Sequence, residues 1–205
     1  MTEHEESAPL LPEVNRDGRV ARGERTRAAI VAAHASLLRE GVLKPTGAKI
    51  AARAGVSLRA LWQNFGDLEG LLNATTAWWL ESDAALVERI DPSLPADQRI
   101  RRYCRQRARR LESMAPAARS AVLGEPFSPA LARSRRTHVQ RAVSQIEEVF
   151  APELDTAGRR RDPLLKGLFV SASWTTWLLL RDDFGMSPEA CTAVMRRTMS
   201  SLLDE

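Results

Sequence analysis

The residue types best suited to chemistry in this sequence are a cation and an amide near position 60. Arg59 and Gln63 lie four positions apart, where both are candidates for the outward face of a short helix. Arginine can donate two hydrogen bonds to guanine, and glutamine can pair with the edge of adenine. On an exposed helix face, the pair predicts contact with double-stranded DNA, either with base edges in the major groove or with phosphates; ordinary solvent exposure is the alternative. The complete set of predicted DNA-binding residues is Arg22, Arg25, Arg27, Thr46, Lys49, Ser57, Leu58, Arg59, Trp62, Gln63 and Asn64.

Most other members of that set suit the DNA backbone better than the bases. Thr46 and Ser57 precede short helices, where a hydroxyl and free backbone N–H groups can meet a phosphate oxygen. The three arginines of the first helix and Lys49 can neutralise phosphates. The Trp62 ring can pack on a sugar or a thymine methyl group, and Asn64 fits either the DNA face or a helix cap. Ordinary solvent exposure is the alternative for each of these side chains.

Two short helices joined by a tight turn are needed to position these side chains. Thr46 is a predicted N-cap for a helix over 47–53, and Ser57 is one for a helix over 58–64. Gly55 lies between them and can adopt the positive φ that a tight turn requires. Such a pair of helices forms a helix-turn-helix.

The charge of the chain is unevenly distributed. The 205 residues carry a formal net charge of +4. Residues 16–66 contain ten Lys and Arg against three acidic residues, whereas residues 1–15 contain four Glu and no basic residue. This asymmetry indicates an anionic partner for the early segment, with nucleic acid the usual case, or else a solvated basic face.

The remaining sequence has a helical pattern throughout. Hydrophobic residues make up 44% of the chain, and the pattern favours helices over strands. The predicted fold is all-α with about nine helices: 26–40, 47–53, 58–64, 67–90, 96–114, a short helix before 129, 130–150, 163–184 and 187–203. Asp67 and Ser187 are the predicted N-caps of two of these helices, and Leu86 and Val87 belong to the apolar content of the helix over 67–90. Residues 151–163 are predicted to be a loop. The predicted organisation is a flexible arm over 1–20, a three-helix helix-turn-helix domain over 21–66 and a second helical domain over 67–205.

Several function classes are disfavoured by the residues present. No Ser/His/Asp set, paired carboxylates, phosphate loop or metal-ligand spacing occurs, so no enzyme activity, cofactor or metal is predicted. His34 is expected in a core or interface, and Cys104 and Cys191 are expected to be buried reduced thiols. No secretory signal or membrane-spanning run is found, which predicts a cytoplasmic protein. A helical enzyme with a DNA-binding-like domain is the less favoured alternative.

Residues 25–72 resemble the DNA-binding domain of the TetR family of transcriptional regulators. The matching pieces are RTRAAIVAA, LLREG, Thr46, IAARAGVS, LWQNF and DLEGLL. The family usually has Tyr-x-x-Phe where Trp62 and Phe65 stand, and a small polar residue where Ala60 stands. It commonly has a backbone-binding lysine at the position of Leu68. That phosphate contact is therefore missing here, or Trp62, Asn64 or the amides of the helix start replace it.

The segment SASWTTWLLLRDDFGMSPEA resembles the last two helices of the same family. The resemblance implies a repressor that binds a palindromic operator as a homodimer and is released by a small molecule held among the central helices. The alternative is a constitutive DNA-binding protein without a ligand. The implied dimer residues are Leu168, Phe169, Ala172, Trp177, Val194, Met195, Met199 and Leu202, some of which must fill the core instead.

Candidate residues for the ligand pocket are aromatic or polarisable groups in the central region, with plain core packing as the alternative. They are Trp78, Trp79, Tyr103, Arg107, Met114, Phe127 and Trp174. Arg107 falls on the apolar stripe of its helix and therefore needs a partner. That partner is either an acid on the preceding helix, such as Asp83, or an anionic ligand. The neighbouring arginines, Arg110 among them, are expected to form a solvated face.

Overall fold

The computed structural model describes residues 14–204, so most of the predicted arm over 1–20 lies outside the described residues. This range contains α-helices, two 3-10 turns and one π turn but no strand, which confirms the all-α prediction of about nine helices. The α-helices are α1 Val14–Arg39, α2 Gly47–Ala54, α3 Leu58–Phe65, α4 Leu68–Ala84, α5 Ala96–Gly124, α6 Pro129–Val149, α7 Ala151–Thr156, α8 Arg161–Ser171, α9 Trp174–Leu178 and α10 Pro188–Asp204.

Helices α1, α2 and α3 form a small bundle that we call the head. Its core contains Ile30, Ile50 and Leu61, all completely buried, with Phe65 against them. Leu71 of α4 completes the same cluster. Burial of each such side chain stabilises the fold by about 1.5–3 kcal/mol. The head is therefore held together by its own apolar contacts and by the first turns of α4.

Helices α5 to α10 form a larger unit that we call the body. Its core includes Tyr103 of α5, Phe150 after α6, Leu168 of α8, and Met195 and Met199 of α10. The two cysteines are buried and free, as predicted. Helix α4 joins the two units because it packs against α1 on one side and against α6 on the other.

Helix α1 begins at Val14, well before the predicted start near residue 26. The apolar periodicity that sets the predicted start begins only at Ile30, the first buried residue of the helix. Residues 20–25 are exposed, and the sequence before Ile30 is rich in arginine, a good helix former that leaves no hydrophobic pattern.

Helix α4 ends at Ala84 rather than near Ile90 as predicted. Leu86 and Val87, expected on its apolar face, are 40% and 45% exposed. Ile90, by contrast, is buried in the core of the body. The chain leaves the helix early and carries Ile90 across to that core.

Helix α5 continues through Pro116 to Gly124, although the sequence predicts its end near residue 114. A proline inside a helix removes one backbone hydrogen bond and costs about 3 kcal/mol. Buried Ala115 precedes it, and two further alanines, strong helix formers, follow it. Packing and local propensity together outweigh the proline.

The C-terminal third differs from the prediction at two places. The predicted loop over 151–163 contains α7, which buries Leu154 in the core of the body. The predicted helix over 163–184 is broken after Ser171, and the Ser173 hydroxyl accepts a hydrogen bond from the Thr176 N–H to start α9. The predicted Ser187 cap of α10 is confirmed by its 3.2 Å bond from the Ala190 N–H.

Gly70 controls how α4 docks on the end of α3. Its N–H donates to the Asp67 carboxylate over 2.8 Å, and a Cβ at this position would overlap the backbone carbonyl of Phe65. Because backbone cannot move aside cheaply, we expect Gly70→Ala to lower the free energy of unfolding by about 2 kcal/mol or more, as measured by urea denaturation. The control is Gly23→Ala, which meets open space on α1 and should be stabilising by up to about 1 kcal/mol. An equal effect of the two substitutions would contradict the overlap.

Candidate nucleic-acid interface

The helix-turn-helix is built by the caps that the sequence predicts. Thr46 Oγ1 accepts from the Lys49 N–H over 3.3 Å, and Ser57 Oγ accepts from the Ala60 N–H over 3.1 Å. Gly55 between the helices has a φ of 67°, the left-handed conformation that favours glycine. Each exposed cap hydroxyl accepts a hydrogen bond from its own helix. Its O–H group remains free to donate a hydrogen bond to a phosphate oxygen.

The outward face of α3 carries the predicted base-contacting residues. Leu61 and Phe65 are buried on the opposite face, so Arg59 and Gln63 are exposed and Leu58 is 45% exposed. Within residues 14–204, the side chains of Arg59 and Gln63 form no hydrogen bond or ion pair. Both therefore remain available to a partner outside the chain.

Trp62 packs across the start of α2. A Cβ on Gly47 would lie 2.6 Å from Cζ2 of the Trp62 ring and 3.2 Å from the Leu58 side chain. Glycine at position 47 therefore allows the half-buried indole to lie beside the N-terminus of α2. This places the ring next to the end of α2 that Thr46 caps, where backbone N–H groups favour an anion.

Two members of the predicted DNA-binding set have partners inside the head. The Arg27 guanidinium lies 4.3 Å from the centre of the Phe65 ring and donates to the Asn64 carbonyl. The Asn64 side-chain amide donates to the Ala60 carbonyl over 2.8 Å. Arg27 thus ties α1 to the end of α3, which sequence reasoning did not foresee. Arg22, Arg25 and Lys49 are exposed as predicted.

The position of the missing family lysine is exposed and has acidic neighbours. Leu68 is the first residue of α4 and is 53% exposed. Asp67 caps the helix, and the Glu69 carboxylate accepts from the Ala130 N–H at the start of α6 over 3.1 Å. No cation stands on either side of Leu68 in the sequence. The phosphate contact that the family resemblance implies at this position therefore has no cation here.

A cavity of about 150 Å³ lies where α1, α4, α5 and α6 meet. Of the predicted pocket residues, Trp79, Met114 and Trp174 line it. Sequence reasoning missed several wall residues from α1, α4 and α6: His34, Leu38, Leu72, Thr75, Thr76 and His138. A helical i, i+3, i+4, i+7 spacing from Leu72 to Trp79 was the available signal for the α4 wall.

Four predicted pocket residues lie away from this cavity. Trp78 packs on the core of the head, and Tyr103 packs edge-on against Phe150 with ring centres 5.6 Å apart. Phe127 is 86% exposed on a turn. Arg107 is buried between helices of the body, where its Nε donates to the Ala172 carbonyl over 2.9 Å. That bond satisfies a backbone group at the break between α8 and α9.

Asp83, one of the two alternative partners suggested for Arg107, pairs with Arg110 instead, which donates to both of its carboxylate oxygens. The two bonds measure 2.8 Å and 2.6 Å, and both side chains are buried. The expectation that Arg110 is solvated is therefore wrong. Burial raises the pKa of Asp83, but the hydrogen bonds and charge of Arg110 more than offset this and hold it below its usual value. Arg99 is also buried, as are Arg107 and Arg110, and it pairs with Glu153.

Most of the predicted dimer residues belong to the core of the protomer. Five of the eight are buried there: Leu168, Ala172, Trp177, Met195 and Met199. The physical reason is the helical stripe of α10, whose buried side faces α5. Val194 is 37% exposed, and Phe169 and Leu202 are partly exposed. A shallow apolar groove between α8 and α10 is lined by Val170, Val194 and Leu202 among others.

The two histidines of the cavity wall are held neutral. Burial lowers the pKa of His34 to about 4 and that of His138 to about 4. The Thr75 hydroxyl donates to the Leu71 carbonyl over 2.9 Å, so it accepts from Nδ1–H of His34, which lies 3.0 Å away. The neutral His34 ring therefore keeps Nε2 as an acceptor. The prediction that His34 is a core residue is confirmed by its burial.

These pKa values predict a loss of stability in mild acid. In the unfolded chain each histidine has a pKa near 6.5. Between about pH 6.5 and 4, the unfolded state therefore binds more protons than the folded state. We expect the free energy of unfolding to fall as the pH drops from about 6.5 to 4, by up to about 1.4 kcal/mol per pH unit for each histidine. Urea denaturation at several pH values measures this slope. His34→Gln should remove about half of it, and a flat profile between pH 6.5 and 5 would contradict the assignment.

Comparisons with known proteins give a likeness of fold. No family model and no curated protein matches the chain. A solved structure of a transcriptional regulator from Rhodococcus sp. Rha1 superposes with a TM-score of 0.64 at 16% identity, covering 89% of this chain and 96% of that one. No group of side chains among residues 14–204 is arranged to hold a metal ion. No helix in the same range is long and apolar enough to cross a membrane.

Proposed function

We propose that the chain is a TetR-like transcriptional regulator that represses its target genes and binds a palindromic operator as a homodimer. The observation that carries the proposal is the exposed face of α3, where Arg59 and Gln63 have no partner within the described chain. The exposed Arg22, Arg25 and Lys49 surround a helix pair whose N-termini are capped by free hydroxyls. The Rhodococcus structure with the same fold is described as a transcriptional regulator, which supports this proposal.

The proposed dimer is supported by the small number of DNA contacts that one head can make. The exposed face of an eight-residue helix presents few side chains to DNA, and a two-fold dimer doubles the contacts and binds two half-sites. The groove between α8 and α10 is the proposed dimer surface, with Val170 at 58% exposure its most exposed apolar side chain. Val194 and Leu202 of the predicted dimer set line this groove, and Val170 is a further exposed apolar residue there.

The ligand response is proposed from the position of the cavity. Its wall includes His34 and Leu38 of α1, a helix of the head, and residues of α4, which joins the head to the body. A molecule bound there touches both elements that set the orientation of the head. The cavity favours a sensor over the alternative of a constitutive DNA-binding protein without a ligand.

The experiment that tests DNA binding is selection of bound sequences from random duplex DNA. We expect enrichment of a palindrome with half-sites about one helical turn apart, or multiples of that distance. The salt dependence should be steep, because the logarithm of the affinity falls by about 0.9 for each phosphate contact per tenfold rise in salt. Recovery of unenriched DNA would refute sequence-specific binding, and a single unpaired half-site would refute the dimer.

A further inference from the structure

Two buried hydrogen-bond donors in the cavity wall have no partner. Among residues 14–204, three buried side-chain polar atoms lack a hydrogen-bond partner, and two of them are the indole nitrogens of Trp79 and Trp174. Both residues line the cavity, and Trp79 is 4% exposed. An unpaired buried donor costs about 1–3 kcal/mol, and native structures pair nearly all such groups. Both nitrogens have almost no accessible surface, so a ligand in the cavity reaches them only when the indole rings rotate towards it.

The charges in the wall argue against an ionic ligand. The charged side chains that line the cavity are Glu125 and Arg135, which pair with each other through Arg135 Nε. The two histidines of the wall are neutral near pH 7 because burial lowers the pKa of each to about 4. A buried anion or cation would therefore lack an opposite charge, which burial in an apolar site makes costly.

The size and lining of the cavity set the size of the ligand. Its volume is about 150 Å³, and leucines, a methionine and alanines form much of the wall. An apolar cavity of about this volume accommodates a molecule the size of benzene. The wall adds to that apolar space two N–H donors and the Nε2 acceptor of His34.

We propose that this cavity binds a compact, uncharged ring compound whose lone pairs accept hydrogen bonds from the indole N–H groups of Trp79 and Trp174. The inference rests on the ligand-responsive function proposed above and names the class of ligand for that function. A carbonyl or ether oxygen on the ring supplies the acceptor. The indole is a donor only, so a ligand without lone pairs leaves both groups unpaired.

Three probes of similar size separate the chemical classes in a binding assay without DNA. Acetophenone has a ring and a carbonyl acceptor, ethylbenzene has nearly the same shape without an acceptor, and benzoate is an anion at pH 7. We expect calorimetric titration to give acetophenone at least about tenfold tighter binding than ethylbenzene, since each gained hydrogen bond contributes up to about tenfold, and no detectable binding of benzoate. Equal affinities, tightest binding by benzoate or no binding by any probe would overturn the proposal.

Tryptophan variants test which indole N–H groups produce the preference for acetophenone over ethylbenzene. Trp79→Phe and Trp174→Phe keep an aromatic ring and remove the N–H, so each should reduce the preference for acetophenone while ethylbenzene still binds. Trp78→Phe is the matched control, because Trp78 is the neighbour of Trp79 but packs on the core of the head. Its preference should equal that of the parent protein. Trp174 is only partly buried, so its variant should fold even where Trp79→Phe does not. A preference that survives in Trp174→Phe would overturn the assignment of that donor.

A further measurement distinguishes failure of the proposed ligand class from failure of the proposed ligand response. The same probes are added to the complex with the selected palindrome, and the release of DNA is measured. Acetophenone binding with the expected preference but without DNA release supports the ligand class and refutes the ligand response. DNA binding with no binding of any probe supports a DNA-binding function and overturns the ligand class.

Discussion

Replacing Arg59 with alanine is expected to remove most of the specific DNA binding of the protein while leaving most of its non-specific binding. Arg59 is exposed on α3 and unpaired within the described chain, so its truncation leaves the fold of the head intact. A bidentate contact from arginine to guanine discriminates against other bases by about 1–3 kcal/mol. Two half-sites in a dimer double this free-energy difference, so the affinity for the specific DNA should fall by about 30-fold or more. Gln63→Ala should act in the same direction.

The matched control for Arg59→Ala is Arg25→Ala on α1. Arg25 is also exposed, but it is proposed to contact phosphate, so its loss should weaken binding to all sequences alike. It should also reduce the slope of the logarithm of affinity against the logarithm of salt concentration by about one for each head. Fluorescence anisotropy titrations with the selected palindrome and with random duplex, each at several salt concentrations, measure both effects. An equal loss on the two DNAs for Arg59→Ala would refute base contact by this residue.

Replacing Asp83 with alanine is expected to be the most destabilising single change in the body. Arg110 lies 4% exposed against the Asp83 carboxylate and would keep its charge without that partner. Removal of one member of a buried ion pair costs about 3–5 kcal/mol. Urea denaturation measures the loss. The exposed pair of Asp97 and Arg101 is the control, and Asp97→Ala should cost less than about 1 kcal/mol.

A double substitution separates loss of pairing from loss of packing at this site. Asp83→Leu combined with Arg110→Met replaces the pair with apolar side chains and should recover much of the stability lost in Asp83→Ala. Gln145 Oε1 also accepts a hydrogen bond from Arg110 and loses that donor in the double variant, whereas the Gln145 amide N–H keeps its bond to Gln106 Oε1. A double variant that is less stable than Asp83→Ala would show that the ion pair itself contributes net stability.

The features predicted correctly from the sequence are those that a few neighbouring residues determine. The caps at Thr46, Ser57, Asp67 and Ser187 are hydrogen bonds between a side chain and a backbone group three positions later. The turn at Gly55 depends on one glycine with positive φ. Such contacts leave a local pattern in the sequence, so the helix-turn-helix could be predicted almost to the residue.

The features that the sequence did not predict depend on partners far along the chain. Arg110 is buried because Asp83 lies 27 positions earlier, and Arg99 is buried because Glu153 lies 54 positions later. The periodicity of α10 indicates an apolar face but does not say whether α5 or a second protomer covers Met195. The end of α4 likewise depends on where the body accepts Ile90. No local rule contains this information.

The unbroken course of α1 has a mechanical consequence. The helix carries the exposed Arg25 towards one end and the cavity residues His34 and Leu38 towards the other. At 1.5 Å per residue, Arg25 and Leu38 are about 20 Å apart on a single rod without a joint. A small tilt at the cavity is therefore magnified at the far end, as by a lever. If the proposed ligand changes the affinity for DNA through this helix, then by thermodynamic reciprocity DNA bound at Arg25 changes the affinity for the ligand by the same factor.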